Sequence, residues 1–163
     1  MTAVIYVFLI RTKAIPMETE LTQQQILSYD KYLAHLVKHG RVVEIHAFLE
    51  KNPNACQILM TPVQRGHSPC SLLMLAAHSG HDAVVRLILE RSSVNRSAIE
   101  QGVSATLDGG RWVENVTPLW LALSRGHYHV ARTLIDLGNA RIDHGPAGHL
   151  PFSTKKHTVG SFP

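Results

Sequence analysis

The sequence predicts an all-α fold: a solenoid of about three helix-turn-helix repeats with one enlarged β-hairpin finger. Three observations carry that prediction. First, the segments KYLAHLVKHGRVVEIHAFLEKNP from Lys31, SLLMLAAHSGHDAVVRLILERSS from Ser71 and TPLWLALSRGHYHVARTLIDLGN from Thr117 share one register. Their columns are chemically consistent: Leu33, Leu73 and Leu119; Leu36, Ala76 and Ala122; Gly40, Gly80 and Gly126; Leu49, Leu89 and Ile135. A repeat unit cannot bury its apolar face alone and must stack on its neighbours. Second, apolar residues recur at spacings of three and four on both sides of each glycine, which is helical periodicity broken once. Third, an Asp-Gly pair, Asp108-Gly109, sits between strand-like segments in the longest connection.

Taken in order, residues 1–30 are an N-terminal extension and lead-in. Thr2–Ile10 is an apolar run of nine residues, too short to span a bilayer, which takes about 20. No basic residue precedes it, and Arg11 and Lys13 follow it, the reverse of a signal peptide. Met17 is the expected alternative start. Residues 17–29 are polar and Gln-rich and lead helically into the first repeat. Repeats occupy 31–144. Each unit reads as a short helix, a turn at Gly40, Gly80 or Gly126, and a second helix. The left-handed cap that such a turn needs is cheap only for glycine. In the third unit Thr117-Pro118 supplies an N-cap hydroxyl and a proline at the first helical position. Residues 145–163, GPAGHLPFSTKKHTVGSFP, lack helical periodicity and read as a disordered tail.

The Thr-Pro-Leu…Ala…Gly-His pattern of the third unit resembles the ankyrin repeat. The second unit keeps Leu73, Ala76, Ala77, Gly80 and His81, while the first keeps little beyond its apolar skeleton and Gly40, as a capping repeat would. Successive turn glycines lie 40 and 46 residues apart, against a standard period of about 33. The surplus falls between a second helix and the next first helix, where ankyrin arrays carry their fingers. Residues 102–117, GVSATLDGGRWVENVT, alternate apolar and small polar side chains around Asp108-Gly109, a strong hairpin signal. Asp108 is thereby placed at the tip, as a turn former or as a binding carboxylate. Trp112 lies on the same finger, as a packing residue or as a cover for a bound chain. Trp120 reads as packing.

Gly102-Val103…Leu107-Asp108-Gly109, then Glu114 and Pro118-Leu119-Trp120, resemble the fem (feminization-homologue) family of ankyrin-repeat substrate receptors of cullin–RING ubiquitin ligases. The resemblance covers about residues 31–144. It departs from the family pattern where Leu107 replaces an aromatic, where one residue is inserted between Gly109 and Pro118, and where Asn115 replaces a glycine. It implies a protein or peptide ligand recognised by a short C-terminal signal, often one carrying arginine, on the inner face of the array. Asp108 matches the family residue that pairs with that arginine, and a carboxylate is a bidentate acceptor for guanidinium. Asp108 and Trp112 are therefore the candidate peptide-binding residues. Ligase components would be partners only with the full family architecture, and the expected compartment is the cytoplasm or nucleus. A generic scaffold for an unrelated protein, and a non-functional fragment, are the alternative readings.

Composition bounds the other function classes. The formal charge is +4 with a pI near 9.3, but Lys and Arg are scattered and no basic stripe interleaves with aromatics, so nucleic acid is not expected. No membrane segment is expected either. Cys56 and Cys70 read as free thiols rather than a disulfide framework, which leaves the acceptor patterns at Asn95 and Asn115 without a secretory context. His35 and His39 have zinc-pair spacing on a helix, yet HLVKH lacks a metalloprotease glutamate and no third ligand follows. His81 and His127 read as hydrogen-bonding groups between repeats. With no phosphate loop, nucleophile elbow or cofactor motif, the expectation is a non-catalytic binding adaptor with no metal and no cofactor. The outward side of the third repeat is expected to expose Leu121, Leu134 and Leu137 and so to drive self-association.

Overall fold

The computed structural model describes residues 21–65, 68–92, 96–107 and 111–146. Helices α1 (Gln23–Lys38) and α2 (Val42–Lys51) are followed by a 3-10 turn (Pro53–Ile58) and a short hairpin, β1 (Val63–Arg65) and β2 (Ser68–Cys70). Then come α3 (Leu72–Ser79), α4 (Asp82–Arg91), the single turn α5 (Arg96–Glu100) and a longer hairpin, β3 (Val103–Leu107) and β4 (Arg111–Val116). Helices α6 (Pro118–Ser124) and α7 (Tyr128–Asp136) complete three hairpins. First helices α1, α3 and α6 pack side by side, as do second helices α2, α4 and α7. The fold is the all-α solenoid of helical repeats with two β fingers.

Local chemistry sets these boundaries. Ser71 Oγ accepts from Met74 N at 3.1 Å and Thr117 Oγ1 from Trp120 N at 3.2 Å, both buried, so α3 and α6 start where a cap is present. Lys31 holds that column in the first unit and cannot cap. Helix α1 therefore continues back to Thr22, which forms a capping box with Gln25. At the far ends Gly40, Gly80 and Gly126 have φ of 66, 78 and 76°. The residue after each glycine donates back into the first helix: Arg41 N to Leu36 O at 3.0 Å, His81 N to Ala76 O at 3.2 Å and His127 N to Ala122 O at 2.8 Å. That recurring bond makes each turn a helix terminator of one design.

One apolar core runs the length of the array, from Leu33, Leu36 and Ile45 through Leu72, Leu73, Val85 and Ile88 to Leu119 and Leu134. Expected surplus in the connections is shared between helical turns (Pro53–Ile58, Arg96–Glu100) and the fingers. Of the residues expected to be bare on the third repeat, only Leu137 is exposed, at 42%. Leu121 and Leu134 are buried, which corrects that expectation. Leu121 lies beneath the second finger, and Leu134 faces Ile99 and the returning chain, with Ala140 N bonded to Leu134 O at 3.0 Å. The exposed side chains of the third repeat include Arg125, Tyr128, His129, Arg132, Asp136 and Leu137. The expectations for Thr2–Ile10, for Met17 and for residues 147–163 lie outside the described residues. Gly145 and Pro146, placed in the tail by the sequence, are packed: Pro146 is buried and Gly145 sits against Trp120.

Candidate functional site

The second finger is the most elaborated surface feature of the array. Its strands pair Val103 with Val116, Ala105 with Val113, Thr106 with Trp112 and Leu107 with Arg111, with a bulge between Val103 and Ala105. Asn115, one of the two β4 residues that face Ser104 alone at this bulge, has φ of 57°, a left-handed conformation that asparagine tolerates better than most non-glycine residues. Gly102 faces it so closely that a Cβ there would lie 1.9 Å from Asn115 Oδ1 and 2.8 Å from its Cα. Asn115 Nδ2 in turn donates to Gly145 O at 3.1 Å. Asn115 thus holds a left-handed backbone in the finger and ties it to the chain leaving α7.

An apolar layer of Met74, Val103, Val113, Val116, Trp120 and Leu121, with Cys70 against it, sits between this finger and helices α3 and α6. The first finger abuts the second through β2 and β3. Ala34, Met74 and Trp120 occupy one register column, and the side chain grows with the hairpin that precedes it: none, short, then long. Met74 and Leu121 are finger supports that reading by periodicity missed; for Met74 the size trend in its column was the available signal. Trp120 is 8% exposed and covered by Gly145, so it packs rather than presenting a platform.

Asp108 lies outside the described residues, between β3 and β4. For Trp112 the backbone is placed, paired with Thr106, and its side chain lies outside them. The site residues that are described are therefore the rigid support, not the proposed contacts. His35 and His39 stack with ring centroids 4.6 Å apart, and among the described residues no three metal-ligand side chains come together. Cys56 and Cys70 form no disulfide. A cleft of about 490 Å³ lies between the two connections, lined by Cys56, Met60, Arg91 and Gln101 among others. Burial pushes the Cys56 thiol up against the opposing charge of Arg91, which makes it a poor nucleophile at neutral pH.

The repeats are joined by polar contacts as well as by the core. His81 Nε2 meets Lys38 O at 3.0 Å and His127 Nε2 meets His78 O at 3.1 Å, each bond crossing from one unit to the one before. On the second helices Arg86 donates through Nε to Asp82 at 2.8 Å and through NH2 to Thr133 Oγ1 at 3.0 Å, while Thr133 donates to Asp82. Partial burial alone would raise the Asp82 carboxyl; bonds from Thr133 and Arg86, with the charges of Arg86 and His129, outweigh it and hold the group below its ordinary value. Arg91 NH2 reaches Glu50 at 2.5 Å and His46 Nε2 at 2.7 Å.

The family model described as "Ankyrin repeats (3 copies)" matches residues 44–145. This chain belongs to the ankyrin-repeat family. Among solved structures, a chain from the crystal structure of the yeast ribosomal protein Rps3 in complex with its chaperone Yar1 superposes with a TM-score of 0.61. It is 20% identical, and the match covers 80% of this chain and 82% of that one, a likeness of fold. No curated protein matches by sequence. In ankyrin terms α1, α3 and α6 are the inner helices and the two hairpins are the fingers. No helix of the described residues is long and apolar enough to cross a membrane.

Proposed function

We propose that this ankyrin array is a protein-binding module that receives an extended peptide along its fingers and inner helices. The observation that carries the reading is the enlarged second finger, seated on its own apolar layer of Val103, Val113, Val116, Trp120 and Leu121. A hairpin held in this way is pre-organised, so little conformational entropy is lost when a ligand binds to it. The finer reading takes its direction from the fem-like motif around Leu107-Asp108-Gly109. Asp108 pairs with an arginine at or near the ligand's C-terminus, Trp112 covers the bound chain, and the module selects substrates for a ubiquitin ligase in the cytoplasm or nucleus.

The test is a peptide screen comparing C-terminal arginine peptides with amidated and alanine-terminated versions. Selective binding that is lost in Asp108→Ala and kept in a His35→Ala control is the expected result. Binding without selectivity among the three peptide sets would reduce the function to a general protein scaffold.

A further inference from the structure

We infer that the inner surface of the array takes an acidic segment of a partner protein, laid across the C-terminal halves of α1, α3 and α6. The inference rests on the reading of the array as a peptide receptor, and not on the arginine pairing. The central repeat defines the surface, because it is flanked on both sides. Its first helix, α3, leaves only Leu75, His78 and Ser79 uncovered. Register then places His35, Lys38 and His39 on the same surface in the first unit, where all three are exposed. In the third unit it places Ser124 and Arg125 there, with Leu121 beneath the finger. A lysine, an arginine and three imidazoles, scattered along the sequence, are thus gathered on one surface.

What that surface lacks decides the charge of its partner. The first helices hold a single carboxylate, Asp30, and it is buried. The second helices carry both signs and pair their arginines: Arg86 with Asp82 at 2.8 Å, Arg91 with Glu50 at 2.5 Å and Arg132 with Asp136 at 3.3 Å. The Lys38 side chain makes no ion pair among the described residues. An ammonium, a guanidinium fork and imidazole N–H groups are all donors to carboxylate oxygens. The surface is also firm: His81 and His127 hold Lys38 O and His78 O at 3.0 and 3.1 Å, which fixes the turns bearing these side chains before a ligand arrives. Packed helices lie about 8–10 Å apart, roughly three residues of extended chain, so acids spaced by about three residues meet successive helices. Nucleic acid is the poorer fit, because these columns hold no Phe, Tyr or Trp on which bases could stack.

The test pans displayed random peptides of about twelve residues, long enough to cross three first helices, on the full chain. Recovered sequences are expected to be enriched in Asp and Glu over the input. The strongest of them, remade with Asn and Gln in place of its acids, should bind about tenfold more weakly, as the loss of two or three exposed ion pairs requires. Lys38→Glu and Arg125→Glu should each weaken the acidic peptide while the variants stay folded by circular dichroism. Lys51→Glu, the same charge change at the end of α2, should leave its affinity at the parent value. Binders without acidic enrichment, or equal sensitivity to Lys51→Glu, would overturn the inference and leave the receptor reading standing. Recovery of no binders would overturn it too, and would take the receptor reading with it only if the arginine-terminated peptides also failed. An oligouridylate that binds more tightly than the selected acidic peptide, and competes with it, would assign the surface to nucleic acid and overturn the inference as well.

Discussion

Three glycines with one backbone conformation stand in three different surroundings, and this separates two effects that are usually measured together. Any L side chain at φ near 70° is strained by roughly 1–2 kcal/mol. At Gly126 that strain is the whole penalty, because among the described residues nothing stands within 4 Å of a Cβ built there. At Gly80 a Cβ would also press on the His127 ring at 2.7 Å, and moving the ring gives up the bond from Nε2 to His78 O, a further loss of about 1 kcal/mol. Gly80→Ala is therefore expected to destabilise more than Gly126→Ala, by about that amount, in urea denaturation monitored by circular dichroism. Equal losses would mean that the imidazole gives way without cost and contributes nothing to the junction.

Between elements, the contact of α4 with α7 is where polar chemistry reinforces the stack. Thr133 is buried and bonded to both Asp82 and Arg86. Thr133→Val keeps the shape and removes both bonds, but Asp82 and Arg86 are partly exposed and can turn to water, so the expected loss is about 1 kcal/mol. The same triad fixes a pH dependence. Folding holds the Asp82 carboxyl below its ordinary value. Its contribution is therefore complete above the unfolded value, about 3.9, and disappears as pH falls through the lower folded value. Stability should decline on acidification across that window, and Asp82→Asn should flatten this part of the profile relative to the parent. A parallel profile in the variant would place the acid sensitivity in other carboxylates.

At the scale of the whole molecule, the sequence exposed what recurs and concealed what occurs once. The turn glycines, the cap at Thr117 and the histidines at 81 and 127 were legible because each repeats or obeys a local rule. The start of α1 at Gln23 was blurred because Lys31 removes the cap that its column supplies elsewhere. Leu121 and Leu134 were misread as bare because one is covered by a finger and the other by α5 and the returning chain, contacts that helical periodicity does not encode. The candidate site was legible only as a hairpin with Asp108 between its strands; its footing on Met74 and Leu121 depends on tertiary packing. The same one-dimensional build governs how the array comes apart, since each unit contacts only its neighbours. Leu89 and Leu134 are both buried, and truncating either to alanine costs about 2–5 kcal/mol. Leu89 lies in the central unit, so Leu89→Ala weakens the repeat on which both flanking units stack, and the chain should unfold in one shifted transition. Leu134 lies in the terminal unit, so Leu134→Ala should free Pro118–Asp136 first. Hydrogen exchange would then show early loss of protection in α6 and α7 while α1 to α4 stay protected. Uniform loss of protection in both variants would instead mean that three repeats behave as a single cooperative block.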